Sequence, residues 1–240
     1  MMILDWLALA VFALCFFGYA RIAHWLGRGR NLNAMMHEVR RAWMQRLMMR
    51  TDRIVDAALT GHTVNSMSFF SSATILIVAG LIGVLAQADA ALALIRRWHF
   101  IETVDAGLFQ LKLLGMVILL VLAFFRFTWA LRQYNYCCAL VGAAPLALND
   151  YPHRTELAEQ VAMVYTSALD SFNSGIRCYY FAVAWIAWIA GPLPFLAGLA
   201  LVMGVLLRRQ AISRAAKAIQ RYVELNPPEQ SAPEQWPPRE

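Results

Sequence analysis

Charge is scarce in this chain. Only 15% of its 240 residues are Asp, Glu, Lys or Arg, and 60% are apolar. A soluble domain carries about a quarter charged and half apolar residues. That shortage excludes a soluble globular fold as the bulk state. Proline is missing between Ile54 and Pro145, so no proline interrupts helix formation there. The four cysteines, Cys15, Cys137, Cys138 and Cys178, lack the spacing of a zinc site or a haem attachment. The adjacent pair Cys137–Cys138 admits a redox or metal reading beside the plainer one of small apolar residues at a helix end. No Ser–His–Asp set, His-Glu-x-x-His or Gly-rich phosphate loop is recognisable. No enzyme, no cofactor and no metal are therefore expected.

What the chain does have is long apolar runs: Ile3–Ala20, Met67–Ala86, Leu108–Phe125 and Tyr179–Leu207. The first three are each long enough to cross a hydrocarbon core of about 30 Å, and the last is long enough to cross it twice. Mean hydropathy is +0.51 and the pI is near 9.4. In a membrane protein a net charge of +6 reads as Arg and Lys facing anionic headgroups. A nucleic-acid partner is not expected. The first run has no basic segment before it and no Ala-x-Ala site after it, so it is expected to stay as an anchor.

Leu32, Met36, Val39, Trp43 and Leu47 recur at helical spacing. They predict an amphipathic helix over 33–50, lying on the membrane surface or packed on other helices. Thr51 or Asp52 can cap a helix that runs from Ile54 straight into the second span. Pro145 to Pro152 reads as a loop. In the last run Gly191-Pro192-Leu193-Pro194 is a turn signal. Splitting the run there gives about five spans, near 3–21, 66–88, 107–129, 171–190 and 193–212. The charge bias favours the split. Arg40, Arg41, Arg46, Arg50 and Arg53 put the first long loop in the cytoplasm, and only an odd number of spans puts Arg208, Arg209, Arg214, Lys217 and Arg221 there too. The expectation is an all-α, polytopic membrane helical bundle in the cell inner membrane, N-terminus outside and C-terminus cytoplasmic, with helices extended into a cytoplasmic layer. The domain is expected over 1–222, with a proline-rich, disordered tail over 223–240.

Several motifs hold polar residues inside apolar helices. They are Asp52-Arg-Ile-Val-Asp56, the run from Ser66 to Ile77, the run from Phe125 through Arg126 and Arg132 to Tyr136, and Phe172-Asn173-Ser-Gly175-Ile-Arg177 through Phe181. In these the chain resembles the DUF599 family of bacterial membrane proteins, over residues 1–220. The resemblance implies kinship of fold and supplies no chemistry.

The candidate functional residues come from the polar exceptions. His62, Asn65, Ser68 and Ser72 share one face of the second span, with Ser66, Ser71 and Thr74 beside it. Lipid cannot satisfy such groups, so the stripe should face other helices or water. It reads either as a polar path or as close packing through small residues. Arg126 lies near the inner end of the third span. It can snorkel to the interface, as Lys112 can at the outer end. Alternatively Arg126, Arg132 and Arg177 meet at the mouth of a conduit and pair with Asp52 and Asp56. Asn173 and Arg177 complete the polar-path candidates. His24 and His62 admit a b-type haem reading, though lone histidines have ordinary surface roles. The functional expectation is a homo-oligomeric channel or passive transport protein for an ion or small solute, in contact with the lipid bilayer. Its rivals are a structural or regulatory protein that docks a partner through cytoplasmic helices, and a haem- or quinone-binding membrane protein.

Overall fold

The computed structural model describes residues 3–26, 32–96, 105–146, 151–211 and 213–226. Within them the chain is helical, with no strand. The elements are α1 (Ile3–Leu26), α2 (Leu32–Met49), α3 (Ile54–Ala86), α4 (Ala88–Ile95), α5 (Ala106–Ala143), α6 (Arg154–Ala187), a short 3-10 turn (Trp188–Ala190), α7 (Pro192–Ala211) and α8 (Arg214–Leu225). Residues 147–150, within the loop expected from Pro145 to Pro152, and the tail 227–240 lie outside the described residues. Helix α8 continues three residues beyond the expected domain end at 222.

Helix boundaries follow local chemistry. The Asp52 carboxylate accepts the Ile54 N–H at 2.8 Å and opens α3, as an N-terminal acceptor should. Asp105 does the same for α5 through the Gly107 N–H, at 3.0 Å. The apolar run 179–207 is broken as the turn signal predicts. Gly191 has φ 133°, a conformation closed to most residues with a side chain, and Pro192 then starts α7.

Three bonds at one end of the molecule set its topology. The Lys112 ammonium donates to the Trp188 carbonyl at 2.7 Å. The Trp185 indole N–H donates to the Lys112 carbonyl at 2.8 Å. The Trp188 indole N–H donates to Asp5 at 2.8 Å. They join the starts of α1 and α5 to the end of α6. Ala88 and Leu92 of α4 pack on Phe109, Leu113 and Ile189 at the same end, which brings in the end of α3. The five long helices therefore alternate in direction.

At 1.5 Å per residue, α3, α5 and α6 run about 50, 57 and 51 Å. A hydrocarbon core of about 30 Å leaves roughly 20 Å of each beyond it. The core is accordingly in two parts. One joins α1, α3, α5, α6 and α7 through Phe12, Phe70, Phe127, Phe181, Trp185 and Phe195. The other joins α2 to α3, α5 and α6 through Met44, Leu47, Met67, Tyr134, Val161 and Tyr165. Helix α2 thus packs on helices and does not lie free on a surface. Its buried face is Met35, Ala42, Met44, Leu47 and Met48. The stripe read from the sequence is mostly half-buried, and only its Leu47 is fully enclosed. The reason is that α2 contacts α6 on one side and α8 on another, so no single face describes it.

Four segments are long and apolar enough to cross a membrane: Ile3–Ala23, Ile54–Ala86, Ala106–Ala143 and Pro192–Leu225, the last taking in α7 and α8. Helix α6 is not among them, because Asp170, Asn173 and Arg177 dilute its apolar half. It is also packed on α5, α7 and α2, and between helices polar residues are tolerated.

Candidate functional site

Helix α3 turns Asp56, Met67, Ser71 and Thr74 inward. The Thr74 hydroxyl donates to the Phe70 carbonyl and shares a 2.7 Å hydrogen bond with the Tyr179 hydroxyl. Thr63 approaches the Tyr165 hydroxyl at 3.5 Å. The inward polar residues are thus the ones beside the stripe that the sequence singles out. The stripe itself faces away from the bundle. His62, Asn65 and Ser72 are exposed and Ser68 is half-buried. The same face carries Gly61, Ala79, Gly83 and exposed Ile75 and Leu76. Around Gly61 and Gly83 there is open space where a Cβ would stand. His24 lies in α1, and an exposed His62 does not present a ring to the interior for haem.

Arg126 and Arg177 do meet. Both line a cavity of about 460 Å³ with Thr166, Asp170, Ser171 and Ser174. Both also line an adjoining cavity of about 280 Å³ walled by Phe16, Phe17, Tyr19, Leu122 and Phe181. Arg126 is exposed, Arg177 is half-buried, and the Arg177 guanidinium lies 5.2 Å from the centre of the Tyr19 ring. Asn173 is half-buried and lines neither cavity. The expected pairing with Asp52 and Asp56 does not occur. Asp56 is 2% exposed and takes two bonds from Arg50, at 2.6 and 2.8 Å, and one from the Trp43 indole at 2.7 Å. A partner six residues away across the α2–α3 turn outcompetes distant arginines. Arg132 leaves the cluster too, donating to the Tyr136 hydroxyl at 2.7 Å.

Above the cleft, α2, α5 and α6 are held by polar contacts. Arg41 pairs with Glu159 and, at 3.2 Å, with Glu38. Arg40 donates to the Thr166 hydroxyl at 3.3 Å. Burial pushes the Arg40 guanidinium down from its ordinary value, and the charge of Asp170 opposes that. The Gln133 amide lies 2.7 Å from the Ser167 hydroxyl and 2.9 Å from that of Ser171. The second layer also holds a cavity of about 180 Å³ beside Arg53, Asp56, Thr60, Tyr134 and Cys137. Cys137 is buried and Cys138 exposed. The pair diverges around the helix and forms no joint thiol site. Among the described residues no group of three metal-ligating side chains converges.

Lys112 departs from the snorkelling expected of it. It is 2% exposed, held by the Trp188 carbonyl and 5.1 Å from the centre of the Trp188 ring. A cation there complements the C-terminal end of α6. No sequence spacing marks this contact, because the two residues are 76 positions apart.

A bundle of alternating apolar helices, with polar groups confined to clefts, seams and one projecting layer, is that of a multi-pass membrane protein. The chain belongs to the DUF599 family, described as proteins of unknown function; the match spans residues 7–215. No curated protein and no solved structure matches it.

Proposed function

We propose that the chain is a homo-oligomeric membrane channel or passive transport protein whose polar path follows the open face of α3. One observation carries this reading. Gly61, Asn65, Ser68, Ser72, Ala79 and Gly83 recur along one side of α3, where Asn65, Ser72, Ala79 and Gly83 are exposed and Gly61 and Ser68 half-buried among the described residues. Small residues let a second helix approach closely, and polar side chains in hydrocarbon require partners. A second copy of the chain supplies both. Five helices enclose little space of their own, so a path forms more naturally about a symmetry axis.

The topology proposed with it has five crossings of an inner membrane, α6 included, with the N-terminus outside. The alternation of the five long helices supports it. So does the gathering of Arg40, Arg46, Arg50, Arg53 and the basic residues of α8 at the end opposite Lys112. A partner-docking role is supported by one feature, the separate core of the projecting layer.

Planar-bilayer recording of the purified protein tests the channel reading. The wild type conducts, and Ser72→Leu lowers the conductance while the oligomer persists. A silent wild type with an intact oligomer contradicts it and leaves the docking role.

A further inference from the structure

We propose that the cleft between α1, α5 and α6 binds one anionic phospholipid, with its phosphate on Arg126 and Arg177 and an acyl chain along Phe17 and Leu122. This site is separate from the face of α3 and does not depend on the channel reading.

The charge argument comes first. A guanidinium offers five N–H donors, and neither Arg126 nor Arg177 has a carboxylate at ion-pair distance among the described residues. The one acid on the rim, Asp170, is already in the field of Arg40 as well as Arg177 and His37. Two positive charges in the cleft therefore remain to be matched.

Depth sharpens this. In the five-crossing topology proposed above Gly191 marks the far edge of the bilayer, and Arg177, 14 residues earlier in sequence, lies about 21 Å along the helix axis from it. That is inside a hydrocarbon core of about 30 Å. A cation at such a depth is held by an anion, a carbonyl or water. Among the described residues Arg177 has the face of the Tyr19 ring and, beyond ion-pair distance, the charge of Asp170, which it shares with Arg40. A phosphate accepts the paired N–H groups of arginine well, and basic pockets between membrane helices on the cytoplasmic side suit lipid headgroups.

The shape selects a lipid over a free anion. Arg126, Ser174 and Arg177 belong to both halves of the cleft, so the polar half opens directly into the apolar half. The apolar half is open sideways. Helix α1 rests chiefly on α7 and stands off from α5. Phe17 is 78% exposed and Leu122 46%. A free phosphate gains nothing from this wall, whereas an acyl chain continues from it into the bilayer.

Native mass spectrometry of the full chain in detergent tests the proposal, with dioleoylphosphatidylglycerol and dioleoylphosphatidylcholine titrated separately. The first should bind one per chain at roughly tenfold lower concentration, as expected for charge-assisted bonds. Arg126→Gln should weaken that binding by a similar factor. Arg126 is exposed, so its replacement spares the packing, and the comparison of the two lipids on the wild type needs no variant at all. Arg132→Gln, at the same end but outside the cleft, should leave binding unchanged. Millimolar inorganic phosphate should not displace the lipid. Equal binding of the two lipids overturns the proposal. So does an equal effect of Arg132→Gln, which would mean general attraction, and so does displacement by phosphate, which would mean a free-anion site.

Discussion

Lys112 and Arg177 are cations set within apolar helices, and the fold treats them oppositely. Lys112 is closed in by a carbonyl and an indole ring; Arg177 faces a cavity. Lys112→Met should therefore destabilise the bundle by about 1.5–3 kcal/mol, the range for a hydrogen bond to a charged group. Thermal unfolding followed by tryptophan fluorescence checks this, and an unchanged midpoint would mean that the lock at the start of α5 is idle. The thiols give a second residue-scale outcome. Maleimide should label exposed Cys138 and spare Cys137, whose sulfur lies 4.0 Å from the Val161 carbonyl. Mass mapping of labelled peptides reads the result. That these residues were exceptions was legible in the sequence, because a charge inside an apolar run stands out. Their partners were not. Asp56 chose Arg50, and Lys112 chose the Trp188 carbonyl just past α6. Such choices depend on the rotation of each helix, which a sequence of near-uniform hydrophobicity leaves open.

The crossing of α5 and α6 is the element on which the rest depends. Each helix offers a glycine to an aromatic ring of the other. A Cβ on Gly115 would stand 2.3 Å from Trp185, and one on Gly175 would stand 2.4 Å from Phe127. Without a strong hydrophobic drive between helices in lipid, such close packing carries much of the association. Gly175→Val should cost about 1–3 kcal/mol through overpacking. Adding Phe127→Ala should recover part of the loss, since residues in contact are not additive. Independent, additive losses in the melting temperature would contradict the contact. Most elements were legible: the long helices from their apolar runs, the break at Gly191 from two prolines beside a glycine, and the end of α5 from Pro145. The face of α2 was not, because a helix enclosed on several sides shows no single stripe. The inward face of α3 was not legible either, for a related reason. Ser, Thr and Asn lie all around its N-terminal part, and sequence alone does not say which of them meets Tyr179.

At the scale of the whole molecule, the proposed five-crossing topology puts the two ends of the bundle on opposite sides of a membrane. Leu193 and Lys217 are both exposed. Cysteines introduced at these two positions should be labelled from opposite faces of sealed vesicles, and labelling from one face would contradict five crossings. The membrane character of the chain was legible from composition. Assembly was not, because a single sequence does not distinguish a seam from a lipid-facing side with scattered polar groups. The open face of α3 therefore carries the central claim, and cross-linking measures it most directly. With the native cysteines replaced by serine, Ser72→Cys and Leu201→Cys would be oxidised separately in membranes and resolved by mass on a gel. Leu201 is 69% exposed and lies on α7, away from the seam. The account predicts disulfide-linked dimers from position 72 and monomers from position 201. Monomers from position 72, or equal cross-linking from both, would contradict it.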